Sequence, residues 1–325
     1  MGLKEYTIKR SFQSIITLIV VLSLNFLIFH AMPGNPYVTL LFGNYRNQTL
    51  VQRFTQKWGL DKPLHVQFLI YWSNILRLDF GQSIVISMGT DVVSLIRDRL
   101  YNTILLLGAS TTLSAIIGIT IGVYVASKHD TLIDKAVTTL GLIFYSMPLY
   151  WLGLIFILVF SVWLHWLPMG NTISAPAPRD PILYALDYGW HMILPTITLT
   201  ILSFGYYVYL MRQILLEVFT SDYMLTARAK GLDKRTILFK HAMRNALLPL
   251  ITVLALSYAG IVSGAVLTET VFSWYGVGRL LYESVLAKDF TVLEFSFLII
   301  SIVTILANLI ADVLYGVLDP RVRYD

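Results

Sequence analysis

The sequence predicts an all-α membrane protein with six transmembrane helices, and three observations carry that prediction. Mean hydropathy is +0.69, with 56% of residues hydrophobic and 13% charged, too apolar for a soluble domain whose surface must be wetted. Six runs reach the ~20 apolar residues that a helix needs to cross a hydrocarbon core about 30 Å thick. They are residues 11–31, 101–127, 136–164, 192–211, 246–268 and 295–318; five carry no charged side chain and the last carries Asp312 alone. With six spans both termini lie on one side, and placing them in the cytoplasm puts 14 Lys and Arg inside against 10 outside, the latter over about twice as many residues.

Residues 1–10 form a cytoplasmic N-terminus in which Lys4, Lys9 and Arg10 precede the first run. That run of 21 residues exceeds the ~7–15 of a signal-peptide core and reads as a retained anchor. Residues 32–100 then form an extracellular stretch that opens on MPGNP and contains the sequon Asn47-Gln48-Thr49. Its breaker GLDKP places Pro63 where it suits a helix's first turn, ahead of an amphipathic segment, Leu64–Leu76, with Tyr71 and Trp72 suited to a bilayer surface. This stretch is either a solvated cap on the helix ends or a substrate-contacting surface.

The third run holds Pro148 in FYSMPLYWLGL and the fourth holds Pro195 in HMILPTITL, each removing a backbone hydrogen bond. Such breaks persist in a membrane only where protein or a wet cavity satisfies the backbone. Pro195, near a helix end, reads as a packing kink; Pro148, deeper, reads as either a kink or a break beside a translocation path. Residues 269–294 contain Glu269, Arg279, Glu283 and Asp289, with Gly276 and Gly278 about a turn, and read as a short external helix or re-entrant element. In the sixth run Asn308 and Asp312 share a helical face; an acid there costs ~2.5–3.5 kcal/mol on insertion scales. Such an acid suits a proton relay, but Asp312 lies nearer the cytoplasmic end and is expected to pair with a basic residue of that surface. Residues 319–325 close the chain as a cytoplasmic tail.

The cytoplasmic loop, residues 212–245, holds the charge. Between Arg228 and Arg244 six basic residues face Asp233 alone, a local balance equal to the chain's net +5. SDYMLTARAKG spells a short helix over 223–230, with Ser221 or Asp222 able to cap its start and Gly231 able to end it in a left-handed turn. Asp233 can cap a second helix that runs toward Pro249. So short a helix needs one side buried, by lipid headgroups or by a partner protein.

Several classes fall away. The chain has no cysteine, hence no disulfide, thiolate metal site or cysteine nucleophile. It has no His-Glu-x-x-His, Gly-x-Ser-x-Gly or Gly-x-Gly-Asp motif, so it is not expected to be an enzyme or to hold a metal. An ion-coupled secondary transporter would favour several buried ionisable groups and inverted repeats, whereas mainly Asp312 and His30 are present.

YMLTARAKGLDKRTILFKHAMRNALLPLIT resembles the loop signature of ABC importer permeases, specifically the B-type permease of dipeptide and oligopeptide importers. FLIFHAMPGNP, GLDKPLHVQFLIYW, LRLDFGQSI, SMPLYWLGLIFILVF, ETVFSWYGVGRLLYESVLAKDF and NLIADVLYGVLDPRVRYD are similar to the same family in the same order, over nearly the full chain. The wider group's loop begins Glu-Ala-Ala and carries a Gly downstream. Here Ala227 and Gly231 hold the second Ala and the Gly, while Leu225 and Thr226 replace the Glu and first Ala, a departure similar to the peptide-importer branch.

The resemblance implies the type I ABC importer permease fold in a plasma membrane. It also implies a heterodimer with a homologous C-type permease, two cytoplasmic ATPase subunits and an extracellular solute-binding protein, with no nucleic-acid partner. The loop helix would dock into a groove of an ATPase through Tyr223, Ala227, Arg228, Lys230, Gly231, Leu232, Asp233, Lys234 and Arg235, with Ala227 and Gly231 small so that it seats closely. The chain lacks Gly-x-x-x-x-Gly-Lys-Ser/Thr, so it binds no cofactor itself, and ATP and Mg belong to the partner ATPases. Helix breaks and polar positions nominate Ser146, Met147, Pro148, Ser263 and Glu269 for the translocation path. Peptides are the first expected substrate, with oligosaccharides or nickel complexes as alternatives.

Overall fold

The computed structural model describes residues 3–31, 55, 56, 58, 59 and 61–318. The sequon at Asn47 lies outside them. The described chain is helical, with a single isolated β-bridge between Gln82 and Asp91. Four helices are long and apolar enough to cross a membrane, and two bent helix pairs bring the number to as many as six.

The first of these is α1 (Leu3–Ala31); α2 (Leu64–Leu76) follows with Pro63 immediately before it, at the residues its amphipathic pattern marks. Next, α3 (Val92–Ser127) starts nine residues before the apolar run, because Asp91 accepts a bond from the Ser94 amide and fixes the start outside the bilayer. Thr131 caps α4 (Leu132–Ser146) in the same way. The run at 136–164 is not one straight helix: at Met147-Pro148 the chain bends by 95° into α5 (Leu149–Phe156) and a π-helical turn, Ile157–Trp163.

Asp180 accepts from the Ile182 and Leu183 amides at 2.9 and 3.0 Å, and Pro181 occupies the first position of α6 (Pro181–Phe219). At 39 residues this helix is ~58 Å long, so it projects from both sides of a ~30 Å core. Pro195 lies inside it without breaking it. After the loop helices, α9 (Met243–Gly260) and a 3₁₀ turn end at Ser263, where Gly264 turns the chain at φ +77°; residues 264–268 therefore leave the expected fifth span. The 266–271 stretch is α10 (Val266–Val271), 277–287 is α11 (Val277–Ala287), and α12 (Phe290–Leu318) ends the described chain.

Packing centres on α6, which lies against both α3 and α4. A Cβ at Gly118 of α3 would sit 2.5 Å from Tyr207 Cβ, and one at Gly205 of α6 only 2.0 Å from the Gly141 carbonyl oxygen of α4. Small residues let these backbones touch, which is how helices associate where lipid is as apolar as the core. On the other flank α1 packs on α12, and Arg10 Nε lies 3.7 Å from Asp312 Oδ2, the pairing expected of that acid.

Two apolar clusters mark the ends of the bundle. One gathers Phe26, Tyr71, Phe80, Val92, Val277 and Phe295 around α2 and α11; the other gathers residues of α3, α6 and α9 under the loop helix. At the α2 end, the buried Asp289 carboxylate locks the chain by accepting from the Ser83 hydroxyl at 2.6 Å. The same oxygen accepts from the amides of Ile84, Val85 and Ile86 at 2.9–3.1 Å.

Candidate functional site

At the opposite end α6 runs into a tight turn and then α7 (Asp222–Ala229). Neither Ser221 nor Asp222 caps this helix through its side chain: the Ser221 hydroxyl donates back to the Val218 carbonyl at 2.5 Å, beside the Ser221 amide on the same oxygen at 3.1 Å. Asp222 sits in the first turn, where a negative charge suits the helix dipole. Gly231 ends the element at φ +72°, with its amide on the Arg228 carbonyl at 3.0 Å. Asp233 Oδ2 accepts from the Thr236 amide at 3.1 Å and starts α8 (Lys234–Thr236), which continues through a π turn into α9. The Thr236 hydroxyl and amide hold the Asp233 carboxyl below its usual value.

The two sides of α7 differ. Met224 and Ala227 are buried against Val123 and Ala126 of α3, Met211 and Leu215 of α6, and Ala246 and Leu250 of α9. Tyr223, Leu225 and Leu232 are exposed, Leu225 at 56%, as are Arg228, Lys230, Lys234 and Arg235. Asn245 donates to the Tyr223 hydroxyl at 2.8 Å and Arg228 to the Phe219 carbonyl at 3.3 Å, tying the exposed face to α9 and α6.

The two small residues stand in different surroundings. Ala227 is small because it packs on this chain's own helices. Gly231 has nothing of this chain within 4 Å of where a Cβ would stand, and its left-handed backbone angle favours glycine. The face free to meet a partner is aromatic, aliphatic and basic.

The nominated path residues do not form one cluster. Ser146 is exposed at the α4–α5 break, its hydroxyl on Leu142 O; Met147 is half-buried and Pro148 exposed. Ser263 is exposed and 3.5 Å from Thr304 Oγ1 of α12. Glu269, by contrast, is fully buried. Its Oε1 accepts from Thr103 Oγ1 at 2.9 Å and its Oε2 from the Arg279 amide at 3.0 Å, so it caps the start of α11 from a neighbouring element. A polar residue in an apolar sequence marked it, and a buried cap gives the same sequence signal as a path residue.

One pair escaped the sequence reading. Arg212 of α6 makes a bidentate bridge to Asp134 of α4, Nε–Oδ1 2.6 Å and Nη2–Oδ2 2.7 Å, with Asp134 1% exposed. The available signal was Thr131-x-x-Asp134, a cap followed by an acid in the first turn. His129, Asp130 and Asp134 bring ligand atoms within 4.8 Å of one another, the described triad with metal-like spacing. Arg212 already occupies both Asp134 oxygens, so a cation would have to displace it.

Residues 118–324 match the family of binding-protein-dependent transport system inner membrane components, and residues 3–106 match that family's N-terminal component. The chain belongs to this family. It is a multi-pass membrane transport component and not a catalytic subunit. The oligopeptide transport system permease protein AppB of Bacillus subtilis is 38% identical over 98% of this chain and 99% of that protein. The di/tripeptide transport system permease protein DppB of Pseudomonas aeruginosa is 35% identical over 93% of each. The glutathione transport system permease protein GsiC of Salmonella choleraesuis is 35% identical over 98% and 99%. Among solved structures, a chain of the inward-facing MetNI methionine ABC transporter superposes with TM-score 0.55 at 17% identity, over 70% of this chain and 97% of that one. This last likeness supports the type I permease fold of the transport component.

Proposed function

We propose that this chain is the B-type permease subunit of an ATP-driven importer of dipeptides and oligopeptides handed over by an extracellular solute-binding protein. It pairs with a homologous C-type permease, and two cytoplasmic ATPase subunits hold the ATP and Mg. The termini and α7 lie in the cytoplasm, which the Lys and Arg distribution supports. Peptides come first among substrates because the full-length relatives above carry peptide or glutathione names.

The observation that carries the coupling role is the two-sidedness of α7. Its buried face is keyed to α3, α6 and α9, so a push on its exposed face moves the spans together. Arg228, Lys230, Lys234 and Arg235 meet acidic or polar groups at the rim of the ATPase groove, Tyr223, Leu225 and Leu232 enter it, and Gly231 and Asp233 fix the turn between them. Ser146, Met147, Pro148 and Ser263 remain candidates for the path.

Leu225→Glu places a charge on that exposed face without touching the buried one. The expected outcome is loss of the ATPase subunits on affinity purification of the permease pair, with thermal stability unchanged; full copurification would refute docking through α7.

A further inference from the structure

Between α3, α4, α6 and α9 lies an open cleft of about 250 Å³ lined by Thr111, Tyr145, Ser203, Tyr206, Tyr207 and Ser257. Every lining side chain bears a hydroxyl and none is charged. The rings of Tyr145 and Tyr206 stack at 5.9 Å, Tyr207 donates to Ser257 Oγ at 3.1 Å, and beside them Thr112 and Tyr258 share a hydrogen bond of 2.6 Å. Tyr145 and Tyr258 are 55% and 42% exposed.

Depth makes this arrangement informative. Thr111, Tyr145, Ser203 and Ser257 each lie about ten residues inside their apolar runs, roughly 15 Å at 1.5 Å per residue, near the middle of a ~30 Å core. Hydroxyls that open into a cleft at that depth are costly against hydrocarbon and stable against water or protein. The neighbouring break at Met147-Pro148 has the same requirement, because the α4–α5 bend frees backbone groups that lipid cannot satisfy. Two independent features thus demand water or protein, and not lipid, on one side of the bundle.

We infer that this hydroxyl-lined face borders the water-filled path and forms a passing site for the peptide main chain, an assignment that rests on the peptide-importer reading. A hydroxyl both donates and accepts, so it serves the alternating N–H and C=O groups of any peptide. With no charge in the lining, no single side chain of the cargo is held tightly, and a site in a conduit has to release what it admits.

The chain contains no cysteine, so Thr111→Cys, Tyr145→Cys, Tyr206→Cys and Ser257→Cys each introduce a unique label within it. In the assembled importer in proteoliposomes, each is treated with a membrane-impermeant thiol reagent, beside lipid-side controls at Ile19 and Leu24 of α1. The cleft cysteines should react roughly tenfold faster than the controls, because only a thiol that meets water ionises and meets an impermeant reagent, and should slow several-fold during turnover with a tripeptide-loaded binding protein. Reaction only with a lipid-soluble maleimide, reaction with neither reagent, or labelling indifferent to turnover would each overturn the passing site. Protection by an oligosaccharide but not by a tripeptide would refute the peptide reading while leaving the wet face intact.

Discussion

Arg212 and Asp134 show how much a single contact fixes. Bidentate geometry and near-complete burial of the carboxylate mean that removing one partner strands the other charge, at a cost of ~3–5 kcal/mol for such pairs. Arg212→Ala should therefore lower the unfolding temperature of the detergent-purified protein markedly, and Arg212→Lys, which loses the fork, should fall between it and wild type. Equal stability of all three would show that the pair contributes nothing. The bridge also ties α4 to α6 beside Met211 and Leu215, which help seat α7. Charge in this chain was legible where it stood exposed, as in the basic loop. Where it is buried the sequence is ambiguous: Glu269 looks the same whether it lines a path or caps α11, and its hydrogen bonds to Thr103 and the Arg279 amide show the cap.

At the scale of elements, each apolar run falls on a helix or a bent helix pair among the described residues, and capping chemistry accounts for several differences at their ends. Asp91 and Asp180 start α3 and α6 well outside the apolar runs, which hydropathy alone does not register. Gly264, at φ +77°, ends the fifth span earlier than its composition indicates. The Pro148 break was visible in sequence, while its 95° angle depends on how α5 packs against α10, a contact that no local pattern encodes. The tightest crossing, Gly141 on Gly205, was not read from sequence because the two glycines lie on different helices. Gly205→Leu would drive side-chain atoms into a backbone 2.0 Å from the Cβ site and force α4 away from α6. We expect that variant to insert but fail to assemble, whereas Gly141→Ala, 3.1 Å from Gly205 Cα, should assemble with reduced thermal stability. Normal assembly and stability of Gly205→Leu would mean that the helices do not meet there.

For the whole molecule, two regions that do different work are joined by α6. Its lower end meets α7, where force would enter, and its middle supplies Ser203, Tyr206 and Tyr207 to the hydroxyl cleft, where cargo would pass. The most direct test of this account is uptake of a labelled tripeptide into proteoliposomes carrying the chain, its partner permease, the two ATPase subunits and the loaded binding protein. The account predicts uptake that requires both ATP and the binding protein and is lost in Leu225→Glu. Uptake driven by an ion gradient without ATP, or undiminished in Leu225→Glu, would contradict it.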